Sequence, residues 1–165
     1  VSATLAAEVL ALLVRRGATA AVAESLTGGL IGAALTTPAG ASAAFRGGVI
    51  AYATELKARL LEVPEDLLDR EGAVHPEVAA AMAAGVRRLA GATYGLAVTG
   101  VAGPDPQDGR PVGTVHIAVA GPDKGFWRRE VHLSGSREEI RKGTVREGLD
   151  LLRGVLEAEV GEHSG

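Results

Sequence analysis

Apolar residues follow a helical rhythm at the start of the chain. Leu5, Val9, Leu12 and Leu13 fall at helical spacing, and Gly17 closes that helix. Residues 19–25 form a compact apolar run, the pattern of a buried strand. Residues 27–36 return to helical spacing until Pro38 and Gly40 stop them. Residues 48–53 predict a short strand, residues 54–61 a helix, and Pro64 the opening of a further turn. Pro76 begins a helix whose apolar face is Val78, Met82, Val86 and Leu89. Residues 94–99 predict a strand, followed by a loop over 100–111 dense in Gly, Pro and Asp. Along residues 112–120, Val115, Ile117 and Val119 face one way and Thr114, His116 and Ala118 the other. A turn at 121–124 returns the chain along 126–133, which makes a hairpin. Ser136 and Glu139 form a capping box for a last helix with Val145, Leu149, Leu152 and Leu156 on its apolar face.

Strands and helices mix throughout, and the hairpin is antiparallel. The expected fold is therefore α/β: a three-layer α/β/α sandwich with a mixed sheet and helices on both faces. One domain is expected over residues 1–160, with a frayed tail at 161–165. No internal repeat or low-complexity tract interrupts it.

Composition narrows the function classes. The 165 residues suffice for one sizeable core, and 47% hydrophobic with 22% charged residues is ordinary globular usage. Aromatic residues are only 3%, so an aromatic platform for stacking several bases is not available. The absence of cysteine removes thiol nucleophiles, disulfides and thiolate metal sites together, and fits the cytoplasm. A net charge of −3 without a basic stripe argues against nucleic acid and anionic membrane as partners. No apolar run is long enough to span a bilayer, and the first residues lack the basic region of a signal peptide.

The segment Ala23-Glu24-Ser25-Leu26-Thr27-Gly28-Gly29 carries the sharpest chemical signal. A hydroxyl sits where a strand ends and a helix begins, beside two glycines that leave backbone N–H groups free. Ser25 can be a nucleophile with an oxyanion site at its side, or only an N-cap. It needs a base. His75 precedes a helix start and suits a cap, His116 and His132 lie in the hairpin strands, and His163 lies in the tail. A metal pair of His116 and His132 lacks a third ligand at metal spacing, so no metal is expected.

Lysine is the better candidate. Of 17 basic residues only Lys57, Lys124 and Lys142 are lysines. A desolvated lysine can give up its proton, whereas arginine effectively cannot. Lys124 falls in a turn and Lys142 on a helix, both solvated positions. Lys57 falls just past a strand in Tyr52-Ala53-Thr54-Glu55-Leu56-Lys57, where a surface helix lysine is the competing reading. Tyr52 sits at the strand's C-terminal end, where open α/β sheets gather ligands. The short-chain dehydrogenase trio of Ser, Tyr and Lys does not fit, because Tyr52 and Lys57 are five apart and no G-x-G-x-x-G opens the first strand. The loop Thr99-Gly100-Val101-Ala102-Gly103-Pro104 resembles an anion-binding loop or a plain Gly-Pro turn. Arg137 and Arg141, one helical turn apart, could grip a phosphate or stand in solvent.

Taken in order, AESLTGG (23–29), FRGGVIAYATELK (45–57), REGAV (70–74), VTGVAGP (98–104), PVGTV (111–115) and SGSREEIRKGTV (134–145) resemble the CinA C-terminal domain family, whose characterised members are nicotinamide-nucleotide amidases. The resemblance implies hydrolysis of the carboxamide of nicotinamide mononucleotide to nicotinate mononucleotide and ammonia, with no cofactor. It places the family's catalytic serine, tyrosine and lysine on Ser25, Tyr52 and Lys57. It places substrate-binding positions on Thr27, Gly28, Gly29, Thr99, Gly100, Ala102, Gly103 and Arg137, and Arg141 joins them as the residue one turn from Arg137. Which of Tyr52 and Lys57 is the immediate base stays open. Thr54, His75 and Ser136 depart from the residues the family often carries there, and the loop 105–110 is shorter than many. A homodimer is a further expectation, and the resemblance implies an N-terminal nucleotide-processing domain as partner in full-length relatives. The alternatives are a nucleotide- or partner-binding module with little catalysis, and a generic Ser–Lys esterase or amidase.

Overall fold

A computed structural model describes residues 2–163, and side chains to residue 159. Its elements run α1 (Ser2–Arg15), β1 (Ala20–Glu24), α2 (Leu30–Thr36), a 3-10 turn (Ala41–Ala43), β2 (Phe45–Ile50), α3 (Thr54–Leu61), α4 (Glu65–Glu71), α5 (Pro76–Ala90), β3 (Tyr94–Gly100), β4 (Thr114–Ala120), β5 (Phe126–His132) and α6 (Arg137–His163). The five strands form one mixed sheet in the order β2-β1-β3-β4-β5. β1 is parallel to both β2 and β3, and the β3–β4 and β4–β5 pairs are antiparallel.

Burial follows position in the sheet. Every residue of β1, β3 and β4 is buried, because helices cover both faces of these central strands. The edge strands β2 and β5 alternate between half-buried and exposed positions. One core lies between the sheet and α1, α2 and α6, built around Val9, Leu13, Ile31, Leu96, Ile117, Leu149 and Leu152. The other lies under α3, α4 and α5, around Leu61, Val63, Val78, Met82 and Val86. The structure is thus the expected α/β/α sandwich.

The alanine- and glycine-rich composition lets backbones approach closely. A side chain at Gly85 of α5 would run into the carbonyl of Leu61 at the end of α3, and one at Gly48 of β2 would lie 2.6 Å from Val22. Only small residues permit α5 to bear on α3 in this way, and α3 carries Lys57.

The expected caps form as read. His75 caps α5, its Nδ1 accepting the Glu77 N–H at 3.1 Å. Ser136 and Glu139 exchange hydrogen bonds at 3.1 and 3.0 Å at the start of α6. Three expectations are corrected. The helix expected from residue 27 begins at Leu30, because Gly28 and Gly29 take left-handed φ of 56° and 103°. Leu89 is 60% exposed and leaves the apolar face of α5. α6 continues to His163, through residues 161–163 of the expected tail, while 164–165 lie outside the described residues.

Candidate active site

The sheet order reverses at β1, which has the later strands β2 and β3 on its two sides. In open α/β sheets the crevice beyond the C-terminal strand ends at such a point receives ligands. Here those ends deliver Ser25 after β1, Ala51 and Tyr52 after β2, and Thr99 and Gly100 at the end of β3. Ser25, Tyr52, Thr99 and Gly100, together with the loop that follows β3 and Arg137 of α6, line a polar cleft of about 130 Å3.

Ser25 does not cap α2. That role falls to Glu24, whose carboxylate accepts the N–H groups of Gly29 (3.2 Å), Ile31 (3.0 Å) and Gly32 (3.0 Å). A buried carboxylate thus satisfies three donors that a helix start otherwise leaves unpaired, and its charge suits that end of the helix dipole. Ser25 is released to point elsewhere. Its Oγ lies 2.9 Å from Lys57 Nζ.

Lys57 is not a surface lysine. It is 1% exposed, and its amine reaches the Ala51 carbonyl at 2.6 Å and the Tyr52 carbonyl at 3.3 Å as well as Ser25. Burial pushes the ammonium down from 10.5 to about 8, and the negative charge of Asp108 partly opposes the fall. Lys142, by contrast, is exposed and pairs with Glu138 at 2.8 Å. Lys124 is exposed in the hairpin turn.

Tyr52 is 60% exposed, and its hydroxyl accepts from Arg137 Nη2 at 3.3 Å at the rim of the cleft. Arg137 Nη1 also donates to the Gly103 carbonyl at 2.6 Å, which ties α6 to the loop after β3. Thr99 is buried and donates its hydroxyl proton to the Ala73 carbonyl at 2.8 Å, so its lone pairs remain for a donor in the cleft. Gly100, Ala102 and Gly103 line the cleft with it.

Four residues expected to touch substrate do not line the cleft. The Gly28 N–H is bonded to the Ser25 carbonyl at 3.1 Å, and the Gly29 N–H to Glu24. The oxyanion donors expected there are therefore already engaged. Among the described residues the N–H groups of Leu26 and Thr27 have no intramolecular acceptor, and they directly follow the serine in the chain. Thr27 is fully buried. Arg141 does not extend toward a phosphate: its Nε donates to the Leu26 carbonyl at 2.9 Å and its Nη2 lies 3.5 Å from the Thr27 carbonyl. It braces the turn that follows Ser25.

His116 and His132 do not stand opposite each other. The register pairs His116 with Glu130 and Thr114 with His132. Both rings contact Glu130, at 3.3 and 3.0 Å. Burial pushes the His116 imidazolium down, against the pull of Glu130. Among the described residues no group of three or more His, Asp or Glu is placed to hold a metal ion.

A family model described as the CinA C-terminal domain matches residues 2–156. The chain belongs to the CinA C-terminal domain family. A CinA-like protein of Frankia casuarinae is 62% identical over 148 residues, covering 90% of this chain and 34% of that protein. A CinA-like protein of Synechococcus is 53% identical over 152 residues, covering 91% of this chain and 36% of that protein. The chain thus spans about a third of the length of these curated relatives. Crystal structures of a CinA superfamily protein from Klebsiella pneumoniae and a competence/damage inducible protein from Agrobacterium tumefaciens superpose with TM-scores of 0.92 and 0.90. They are 31% and 35% identical and cover 96% and 94% of this chain, and 99% and 95% of theirs.

Two residues of this CinA domain escaped the sequence reading. Glu24 carried a signal, as the single charge inside an apolar strand run directly before Ser25. Asp108 carried a weaker one, an Asp-Gly pair inside a loop. No helix among the described residues of the domain is long and apolar enough to cross a membrane.

Proposed function

We propose that this CinA domain hydrolyses the carboxamide of nicotinamide mononucleotide, giving nicotinate mononucleotide and ammonia. The observation that carries the reading is the buried Lys57 amine 2.9 Å from Ser25 Oγ, at the edge of a polar cleft. An amine with a pKa near 8 is partly neutral at ordinary pH, so it can accept the serine proton.

In the proposed reaction neutral Lys57 takes the hydroxyl proton as Ser25 Oγ bonds to the carboxamide carbon. The carbonyl electron pair moves onto oxygen, and the Leu26 and Thr27 N–H groups stabilise that oxyanion. The Lys57 ammonium then protonates the amide nitrogen, the C–N bond breaks and ammonia leaves. Water attacks the acyl ester, its proton passing to Lys57 and on to Ser25 as the Oγ–C bond breaks. The direct contact makes Lys57 the immediate base in this scheme. Tyr52 then works through Arg137 at the rim, where the guanidinium is the cation lining the cleft and suits the phosphate.

The test is to incubate chelator-treated protein with nicotinamide mononucleotide and follow the acid product by mass spectrometry. Product that disappears in Ser25→Ala, with the fold kept, supports the reading. Ser25→Ala at full activity sinks the nucleophile. Tight nucleotide binding without ammonia release favours a binding module instead. Turnover of simple esters as fast as of the nucleotide favours a generic Ser–Lys hydrolase.

A further inference from the structure

The loop between β3 and β4 folds back on itself at residues 107–110. Gln107 and Arg110 exchange backbone hydrogen bonds at 3.2 and 2.8 Å, and Asp108 and Gly109 between them both take positive φ, 52° and 73°. This is the Asp-Gly form of a tight hairpin turn, in which aspartate tolerates the left-handed conformation. The turn brings the Asp108 side chain against the segment before α5, with Gln107 Nε2 also 3.5 Å from its Oδ2. Asp108 Oδ2 accepts the Ala73 N–H at 3.1 Å, on the segment that joins α4 to α5. The fit is close: a Cβ at Gly72 would lie 2.6 Å from Asp108 Cγ, and Gly72 itself has a φ of 77°. The other side of Ala73 is also held, its carbonyl accepting from Thr99. Ala73, Thr99 and Gln107 are all walls of the cleft.

We propose that Asp108 is a positioning residue of the site: it latches the 100–111 loop onto Gly72–Ala73 to set the cleft wall, and it supplies the negative charge that acts on the buried Lys57. The proposal rests on Lys57 being the base of the proposed deamidase. Two further observations fit it. Burial lowers the Lys57 pKa, and the negative charge of Asp108 partly opposes that fall. Glu24 on β1 is occupied by the amides of α2, and the other charged groups nearby are Glu55 and Arg59 on α3 itself and Asp105 and Arg137 at the cleft. Removing the Asp108 charge therefore favours the neutral amine.

Only three lysines are present, so ε-13C-lysine gives three NMR signals, and Lys57 is assigned by its absence in Lys57→Arg. Asp108→Asn keeps an acceptor for Ala73 and removes the charge. It is expected to lower the Lys57 midpoint by roughly half a unit to one unit, to move the acid limb of kcat/KM for the mononucleotide in the same direction, and to keep the Ala73 amide protected from exchange. Asp108→Ala is expected to shift Lys57 equally but also to expose the Ala73 amide and raise KM several-fold. A Lys57 midpoint unmoved in Asp108→Asn, with the melting temperature kept, overturns the electrostatic role. An Ala73 amide still protected in Asp108→Ala overturns the latch. If the Lys57 shift and the exchange change are both seen while the unsubstituted protein turns over no mononucleotide, the deamidase reading falls and the action of Asp108 on Lys57 and Ala73 stands.

Discussion

The carbonyl oxygen of Ala51 lies 2.6 Å from Lys57 Nζ, closer than the serine hydroxyl at 2.9 Å. The amine is therefore fixed by backbone at the end of β2 before it meets Ser25. Holding the amine in place orders it toward the serine, while burial supplies the neutral form that a solvated, protonated surface lysine lacks.

Lys57→Met separates chemistry from folding. Deamidase turnover is expected to fall by about 10²–10⁴-fold, the usual contribution of a general base. Stability at pH 7 is expected to rise by about 1–2 kcal/mol, because a buried charge is replaced by an apolar chain of similar length, less the lost bond to Ala51. Lys57→Arg is expected to lose turnover too, since a guanidinium does not deprotonate. Steady-state assays and urea unfolding of the same preparations check both halves.

The lowered pKa of Lys57 also sets a pH dependence of stability. The folded state releases this proton near pH 8 and the unfolded chain near 10.5. Between those values the unfolded chain holds more protons, so stability rises with pH. Below pH 8 both states are protonated, and burial of the ammonium costs the fold about 3 kcal/mol throughout. Between pH 8 and 10 the gain is expected to be roughly 2 kcal/mol, and it should vanish in Lys57→Met. Tyr94, pushed up to about 12 by burial and Glu159, works the other way but only above pH 10. Unfolding free energies of the two proteins across pH 7–10 test the sign.

Glu24→Gln is expected to destabilise by about 1–3 kcal/mol, since a neutral amide cannot accept three N–H groups as the carboxylate does. The same change should slow turnover, because the turn from Ser25 to Gly29 is held from this side by Glu24. A variant that loses neither stability nor rate would show that the capping carboxylate is dispensable.

Tyr52→Phe distinguishes rim from relay. With the hydroxyl at the rim against Arg137, its removal should raise KM by a few-fold and leave kcat within about threefold, on the order of one exposed hydrogen bond. A loss of kcat by two orders of magnitude at constant KM would place Tyr52 in the proton path.

Much of the fold is legible because local rules and tertiary packing agree. Residues 54–61 read as a helix and α3 has those bounds, and both the His75 cap and the Ser136–Glu139 box form. The strand at 48–53 is read late. Arg46 and Gly47 break the apolar run, yet β2 starts at Phe45 because β1 pairs with it from Ala20 onward. Leu89 fits helical periodicity but lies at the last turn of α5, beyond the reach of the sheet. In the site, Ser25 and Lys57 stand out by residue type, but their contact depends on which strand neighbours β1, and periodicity does not carry strand order. Gly28 and Gly29 look like free donors, but the Gly28 N–H turns back to the Ser25 carbonyl and the Gly29 N–H is taken by the Glu24 carboxylate. Arg141 shares a helix face with Arg137, and only the tertiary path of the turn after Ser25 sends one into the cleft and the other to carbonyls.

The sheet has a working end and a silent end. β1, β2 and β3 run toward the cleft, and β4 runs away from it, so the turn at Pro122–Gly125 lies at the far pole from Ser25. That turn is closed by its own hydrogen bonds, Gly125 N–H to Pro122 and Gly121 N–H to Gly125, at 3.0 and 2.8 Å. It offers an attachment point: a fluorophore, tether or inserted peptide placed there would report on or immobilise the domain while the full length of the sheet separates it from the serine.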